Sequence, residues 1–474
     1  DGGPTVRLLA KDAPKWVSIV GDLPSGARSG AIVEVKLHRD KERRGVGRAT
    51  VLEVLGSIDH PEDDELAVIA EYGLRSEYAP PALLEVDQLL RDEPTLVAEE
   101  TARQIPLPAE GVAPPAGARV DLTHLRALTI DPVDARDHDD AVSLDRHDDG
   151  TWTLGVHIAD VSWFVRPDSA LDEEARTRGC TVYLPRNTLH MLPADLARTV
   201  CSLTVGRPKL AKSILIRLDS RGNVQSRRLV RSVVTIDRLL TYEQVMSILT
   251  EEIDDADLPD GLGPYVREMR ACADALHGFR RRQGSFQLEI PRPHVMLDER
   301  NRVVRIDADR QDPSHNLIEE AMLVANKSVA EFLMEYRLPY ICRAHPEPQE
   351  SDIERFVGFI RELGFDLRGG FTPIAIQSFL DELAEQAGGS AVHLALLKSM
   401  QRAFYAAEPA PHYALQFPFY AHFTSPIRRY PDLILHQILD AALDRHGELV
   451  WDEAWERPAA HPRPDAVSST GQGL

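Results

Sequence analysis

The chain has 474 residues, 43% of them hydrophobic, which excludes a disordered or fibrous class and allows about two to four domains with apolar cores. Its formal charge of −21, from 75 acids against 54 Lys and Arg, argues against a protein that coats nucleic acid through a basic exterior. It does not argue against an enzyme whose clustered carboxylates hold cations, or one with a basic channel inside an acidic shell.

The start at Asp1 reads as a fragment or a processed product. Residues 29–55 read as β-structure, with Ala31–Leu37 and Gly45–Leu55 as strands around the charged connection His38–Arg44. Residues 1–50 hold ten Lys or Arg against six acids, a local basic excess. This fits a small oligonucleotide-binding or cold-shock-like barrel over residues 1–85, or simply a solvated charged loop. Prolines 80, 81, 106, 108, 114 and 115 mark residues 86–119 as a linker with a short helix near Pro81–Asp92. A compact α+β domain is expected over residues 120–449, and an irregular tail over 450–474.

Within that domain, Thr151–Val161 is strand-like. Ser213–Leu218 and Arg227–Ile236 predict an antiparallel pair about the turn Asp219–Gly222. Helices are predicted over Tyr242–Glu251, Pro264–Arg282, Asn316–Glu335, Glu350–Leu363, Pro373–Gln386 and Ser390–Ala406.

The most informative stretch runs from Leu128 to Leu144. It carries Asp131, Asp134, Asp137, Asp139 and Asp140 between two apolar, strand-like ends. Aspartate suits neither helix nor strand interiors, and like charges at this density repel unless cations neutralise them. Hard oxygen donors in this number suit magnesium, with manganese as a substitute. A solvated acidic loop is the bland alternative. A calcium loop of the EF-hand type fails, because its Gly and closing Glu are missing. Several carboxylates holding two metals fit phosphodiester hydrolysis.

Ser425-Pro426 reads as a helix N-cap followed by Pro at the first position, which places Arg428 and Arg429 in the first turn, where free N–H groups favour phosphate. Pro431 then kinks or restarts the helix. Paired arginines there also suit structural binding of carboxylates. Glu319 and Asn326, seven residues apart, share one face of an apolar helix. Tyr183 suits base stacking or a core position. No Gly-rich phosphate loop, nucleophile elbow or H-E-x-x-H pattern occurs. The four cysteines make no C-x-x-C pair, so a reduced, cytoplasmic protein without disulfides is expected, and no apolar run approaches the ~20 residues of a membrane span.

Five stretches, in order, resemble the catalytic (RNB-type) domain of the ribonuclease II/R family. They are Asp131–Ala141; Gly155–Ser162; Val182–Leu184 with Met191-Leu192-Pro193 and Cys201-Ser202-Leu203; Ile318–Asn326; and Phe423–Leu433. The resemblance covers roughly Val120 to Leu443. It implies a processive 3′-to-5′ exoribonuclease that releases nucleoside 5′-monophosphates from single-stranded RNA. It also implies that Asp131, Asp137, Asp139 and Asp140 hold magnesium, with Asp139 the most sensitive. Arg428 is implied to stabilise charge at the scissile phosphate, Tyr183 to pack on a base near the 3′ end, and Glu319 to position the terminal nucleotide. Phe286, Ser425 and Arg429 are further RNA-contact candidates, although Leu288 falls where the family places its second stacking aromatic. His138 stands where an apolar residue is usual, and Trp163 where a His is common. Family members carry two barrels in front and one behind, and this chain has room for one in front. No membrane, no organic cofactor and a monomeric state are expected. The rival readings are a catalytically impaired RNA-binding relative and an endonuclease or DNase on the same chemistry.

Overall fold

The computed structural model describes residues 3–9, 15–40, 45–60, 63–109, 112–286, 288, 292–298, 302–309, 312–383 and 389–452. The predicted tail beyond residue 452 and part of the connection His38–Arg44 lie outside them.

The front domain is a four-stranded sheet of β1 (Thr5–Arg7), β2 (Trp16–Ile19), β3 (Ala31–Asp40) and β4 (Gly45–Ser57), ordered β1-β2-β4-β3. Helix α1 (Asp64–Glu71) follows. The stretch expected to be a linker carries α2, Pro80–Ala102, a longer helix than the predicted one. Pro80 and Pro81 open it, where the missing N–H groups cost nothing, and Pro94 is tolerated inside. Ala82, Val86 and Val97 of α2 are buried against the next domain, and that packing decides the helix.

The central sheet is built from β5 (Ile105–Pro106), β6 (Val120–Asp121), β7 (Ala127–Asp131), β8 (Asp140–Arg146) and β9 (Trp152–Ala159). Then come α3 (Val161–Phe164), α4 (Ala170–Arg178) and a small ribbon, β10 (Val182–Tyr183) with β11 (Thr188–Leu189). The long strands β12 (Pro208–Leu218) and β13 (Val224–Thr241) complete the sheet. β13 has 18 residues; it pairs with β12 along its first part and with β7 along its last, and it also takes β6. Because β12 also pairs β9, the order β12-β9-β8-β7-β13 closes on itself into a ring. Alternate residues feed opposite faces: Leu128 and Val142 enter one apolar cluster, Ala127 and Ala141 the other. The β12–β13 turn lies where the Asp219 pattern predicts it, with the Asp219 carboxylate accepting from the Arg221 and Asn223 N–H groups. Gly222 there has φ +79° and abuts the Ala275 carbonyl, so a Cβ has no room.

Helices α5 (Tyr242–Leu249), α6 (Leu262–Arg282) and α7 (Pro313–Glu335) cover the ring, with the hairpin β14 (Arg292–Leu297) and β15 (Val303–Asp309) between α6 and α7. β16 (Cys342–Ala344) precedes the layer α8 (Glu350–Glu362), α9 (Pro373–Leu383) and α10 (Gly389–Ser399). The helix predicted over Ser390–Ala406 stops at Ser399. Its last residues form β17 (Phe404–Ala406), which pairs with β16, so a tertiary strand partner overrides local propensity. The chain closes with α11 (Tyr430–His446) and β18 (Glu448–Asp452), which lies on β13 where a tail was expected.

Beneath the ring sits a buried ion network. Lys212 meets Asp160 and Asp440; Arg119 meets Asp160 at 2.7 Å; Arg231 meets Asp440 at 2.8 Å. Each charge has a partner, as burial demands. These contacts tie β6, β9, β12, β13 and α11, the frame on which the cleft is built.

Candidate active site

The acidic stretch spans the rim between β7 and β8. β7 ends at Asp131, and β8 begins at Asp140. Backbone bonds hold the far side: the Ala159 N–H donates to the Asp139 carbonyl at 2.9 Å, and the His138 N–H donates to Ser202 Oγ at 2.9 Å. Asp139 is therefore fixed, and only 4% exposed. Its Oδ1 accepts the Ile427 N–H at 2.8 Å, and its Oδ2 lies 3.3 Å from Arg428 Nε.

The turn carrying Arg428 has its own supports. Arg428 Nη2 donates to Ser425 Oγ at 2.8 Å. Asp432, fully buried, accepts both the Ser425 N–H at 2.8 Å and Arg429 Nη2 at 2.6 Å. The expected Ser425 cap is thus corrected. Residues 426–428 form an isolated turn, and α11 starts after Arg429 with Pro431 near its first position. Pro431 cannot donate into a preceding turn, so the helix restarts there. Ser425 aims Arg428, and Arg429 spends its guanidinium on Asp432.

These groups line a cleft of about 900 Å³. Asp131, Asp137, Asp139 and Asp140 stand on one side, with Arg428 beside them. Tyr183, 59% exposed, stands on the ribbon, and Glu319 and Asn326 face the cleft from α7. The Asn326 Oδ1 accepts the Phe423 N–H at 2.7 Å, which joins α7 to the loop before Arg428. Three features had no local signal in sequence. Tyr242 and His315 stack at 3.9 Å in the wall, 73 positions apart. His422 lines the cleft and bonds Tyr405. Glu320, beside Glu319, is buried and tied to Arg280 and His277. Phe286 is a correction. It is 5% exposed in the core of the α8–α10 layer, edge-on to Tyr413 at 5.9 Å, and lies outside the cleft lining. Burial of an aromatic against Phe356 and Phe379 outweighs a place in the wall.

The electrostatics suit a cation. Burial, with Asp140 and Asp137 adding, pushes the Asp139 carboxyl up to about 8 despite the Arg428 guanidinium and the Ile427 N–H. Burial and then Asp131 push Asp140 up to about 7. A carboxylate pair that prefers protons near neutrality lacks positive charge. Asp137 Oδ2 is buried with no hydrogen-bond partner, a donor oxygen left to be satisfied. Among the described residues no three Asp, Glu, His or Cys side chains already converge as a coordination shell. Asp139 faces Arg428, and Asp131 bonds His138 Nδ1 at 2.7 Å. The donor chemistry fits a hard divalent ion, which would gather these carboxylates from their protein partners.

A pH effect follows. Both carboxyls have folded values above the ordinary 3.8, so their stabilising contribution is complete below that value and is lost as pH rises through about 7 to 8. The melting temperature in EDTA should fall from about pH 4 to about pH 8 and level off above, and magnesium or manganese should restore it at about pH 8. Asp139→Asn should flatten the fall. A metal-free melting temperature that is level over this window, or equally steep in the variant, refutes the assignment.

The RNB domain family matches residues 119–445, and the cold shock domain family matches residues 6–79. The chain belongs to the ribonuclease II/R family. This RNB protein is 33% identical over 428 residues to ribonuclease R of Escherichia coli (strain K12), an alignment covering 89% of its chain and 50% of that protein. The family member described here therefore spans about half the length of the curated relatives it matches. Its fold matches Mycoplasma genitalium RNase R in complex with double-stranded RNA, with 25% identity and a TM-score of 0.74, over 89% of this chain and 72% of that one. It also matches yeast Ssd1, a pseudonuclease, at 20% identity and a TM-score of 0.66, over 93% and 54% of the two chains. Membership of the RNB fold alone thus does not decide catalysis, and the site residues must. No helix among the described residues of this RNB protein is long and apolar enough to cross a membrane.

Proposed function

We propose that the chain is a magnesium-dependent exoribonuclease that shortens single-stranded RNA processively from its 3′ end and releases nucleoside 5′-monophosphates. One observation carries the reading: four carboxylates share a cleft with an oriented arginine. Phosphodiester hydrolysis builds negative charge on the phosphoryl oxygens, and preorganised positive groups lower its barrier. Asp131, Asp137, Asp139 and Asp140 would hold magnesium or manganese, which would supply an activated water and neutralise charge on the leaving oxygen.

The chain's own groups do the rest. Arg428 is held by Asp139 and Ser425, so its five-donor fork is aimed before substrate arrives. Tyr183 offers an exposed ring for a base, and Glu319 offers a carboxylate for the sugar hydroxyls of the last nucleotide. A cleft of about 900 Å³ has room for a short run of nucleotides. The resemblance to ribonuclease R, solved forms of which hold single-stranded and double-stranded RNA, supports RNA as the substrate class.

The likeness to a pseudonuclease favours a second reading, an RNA-binding relative that does not cut. One experiment separates the two. A 5′-labelled single-stranded RNA, incubated with magnesium or with EDTA, should lose its 3′ end only with metal and collect as a very short labelled fragment. Intact RNA that remains bound under both conditions supports the binding protein. Internal cuts, or equal attack on DNA, point to the endonuclease or DNase.

A further inference from the structure

A carboxylate of the front domain reaches the ribbon beside the cleft. Asp63, just before α1, accepts the backbone N–H of Ser57, the last residue of β4, at 2.8 Å, which fixes the helix to the sheet. The second residue of α1, Glu65, is only 4% exposed. A buried carboxylate needs partners. They lie more than a hundred positions away: Oε1 accepts the Arg186 N–H at 2.6 Å, and Oε2 accepts Asn187 Nδ2 at 2.6 Å.

Arg186 and Asn187 form the tip of the β10–β11 ribbon, where the Leu184 N–H closes the turn on the Asn187 carbonyl at 2.8 Å. Tyr183 belongs to the same ribbon, paired with Thr188. The ribbon base is held from the same segment of chain, since the Tyr78 hydroxyl donates to the His190 carbonyl at 2.8 Å. Two strands of two residues each have too few bonds of their own to hold an exposed ring in one place. The outside clamp therefore sets the position of Tyr183.

We propose that Glu65 is a positioning residue. It pins the ribbon tip to the front domain and so determines where Tyr183 meets the RNA, and hence the length at which degradation stops. Glu65 touches no RNA itself. The inference rests on the reading of Tyr183 as a base-stacking residue of an exoribonuclease.

The test uses the full chain with Glu65→Ala and Glu65→Gln. Glutamine keeps an acceptor for the Arg186 N–H, and the Asn187 amide can rotate to offer its oxygen to the new donor. Two readouts are taken: hydrogen exchange over residues 182–189, and the lengths of the final fragments from 5′-labelled RNA. Glu65→Ala should raise exchange roughly tenfold or more, as loss of a charge-assisted contact implies. It should also leave final fragments longer by at least one nucleotide, and Glu65→Gln should restore both. Unchanged exchange and unchanged fragments in Glu65→Ala overturn the proposal. Equal defects in both variants also overturn it, since they indicate general loosening. If the unaltered chain cuts no RNA, the functional reading fails, and the exchange comparison alone decides whether Glu65 holds the ribbon.

Discussion

Asp139→Asn should lower turnover by roughly 10³-fold or more, the scale of losing electrostatic and metal assistance together. Binding of single-stranded RNA in EDTA should stay nearly unchanged. The shape of the side chain is preserved, and its oxygen can still accept the Ile427 N–H. The new amide nitrogen then faces Arg428, donor against donor, where the carboxylate had faced a cation. One carboxylate is lost from a group of four. Single-turnover cleavage and anisotropy binding, measured on the same preparation, check both halves. Normal cleavage by the variant removes the metal site from the acidic rim.

Arg428→Ala should lower kcat by roughly 10²- to 10³-fold, as for removal of one oriented charge stabiliser, with a much smaller change in KM. Two contacts hold the guanidinium in place before substrate binds, so its contribution is concentrated in the transition state. Its loss also takes away the largest influence that lowers the Asp139 carboxyl, which burial already holds near 8. The pH needed to ionise Asp139 in the metal-free variant should therefore rise. Arg428→Lys keeps the charge but loses the fork, and should recover only part of the rate. A defect confined to KM would make Arg428 a tether for the RNA chain.

The acidic rim was legible because its chemistry is contiguous. Five aspartates within ten residues leave few alternatives, and their neighbours on β7 and β8 announce themselves by apolar alternation. The β12–β13 hairpin was equally local, written in Asp219 and Gly222. The other side of the site was legible only through resemblance. Nothing near Arg428 states that a carboxylate 289 positions earlier will face it. Ser425 shows the limit of a local rule: Ser-Pro is a good helix start, but the buried Asp432 claims the Ser425 N–H and Arg429, and the helix begins later. Helix α2 was shortened in prospect by counting prolines, whereas the burial of Val97 beyond Pro94 decides its length. Phe286 is near the expected stacking position in sequence, but its burial with Phe356 and Phe379 takes it away from the cleft. Glu65 carried no signal at all, because a glutamate at the start of a helix is unremarkable until its distant partners are seen.

The bond from the Ile427 N–H to Asp139 joins residues 288 positions apart. During synthesis the acidic rim leaves the ribosome long before the turn that completes it. At roughly 5–20 residues per second, the delay is about 15–60 s. Throughout that interval the nascent chain holds its carboxylates but not the arginine that faces them. If the proposed activity holds, a nuclease assembled in this order would lack Arg428 beside its acidic rim until almost all of the domain has been made.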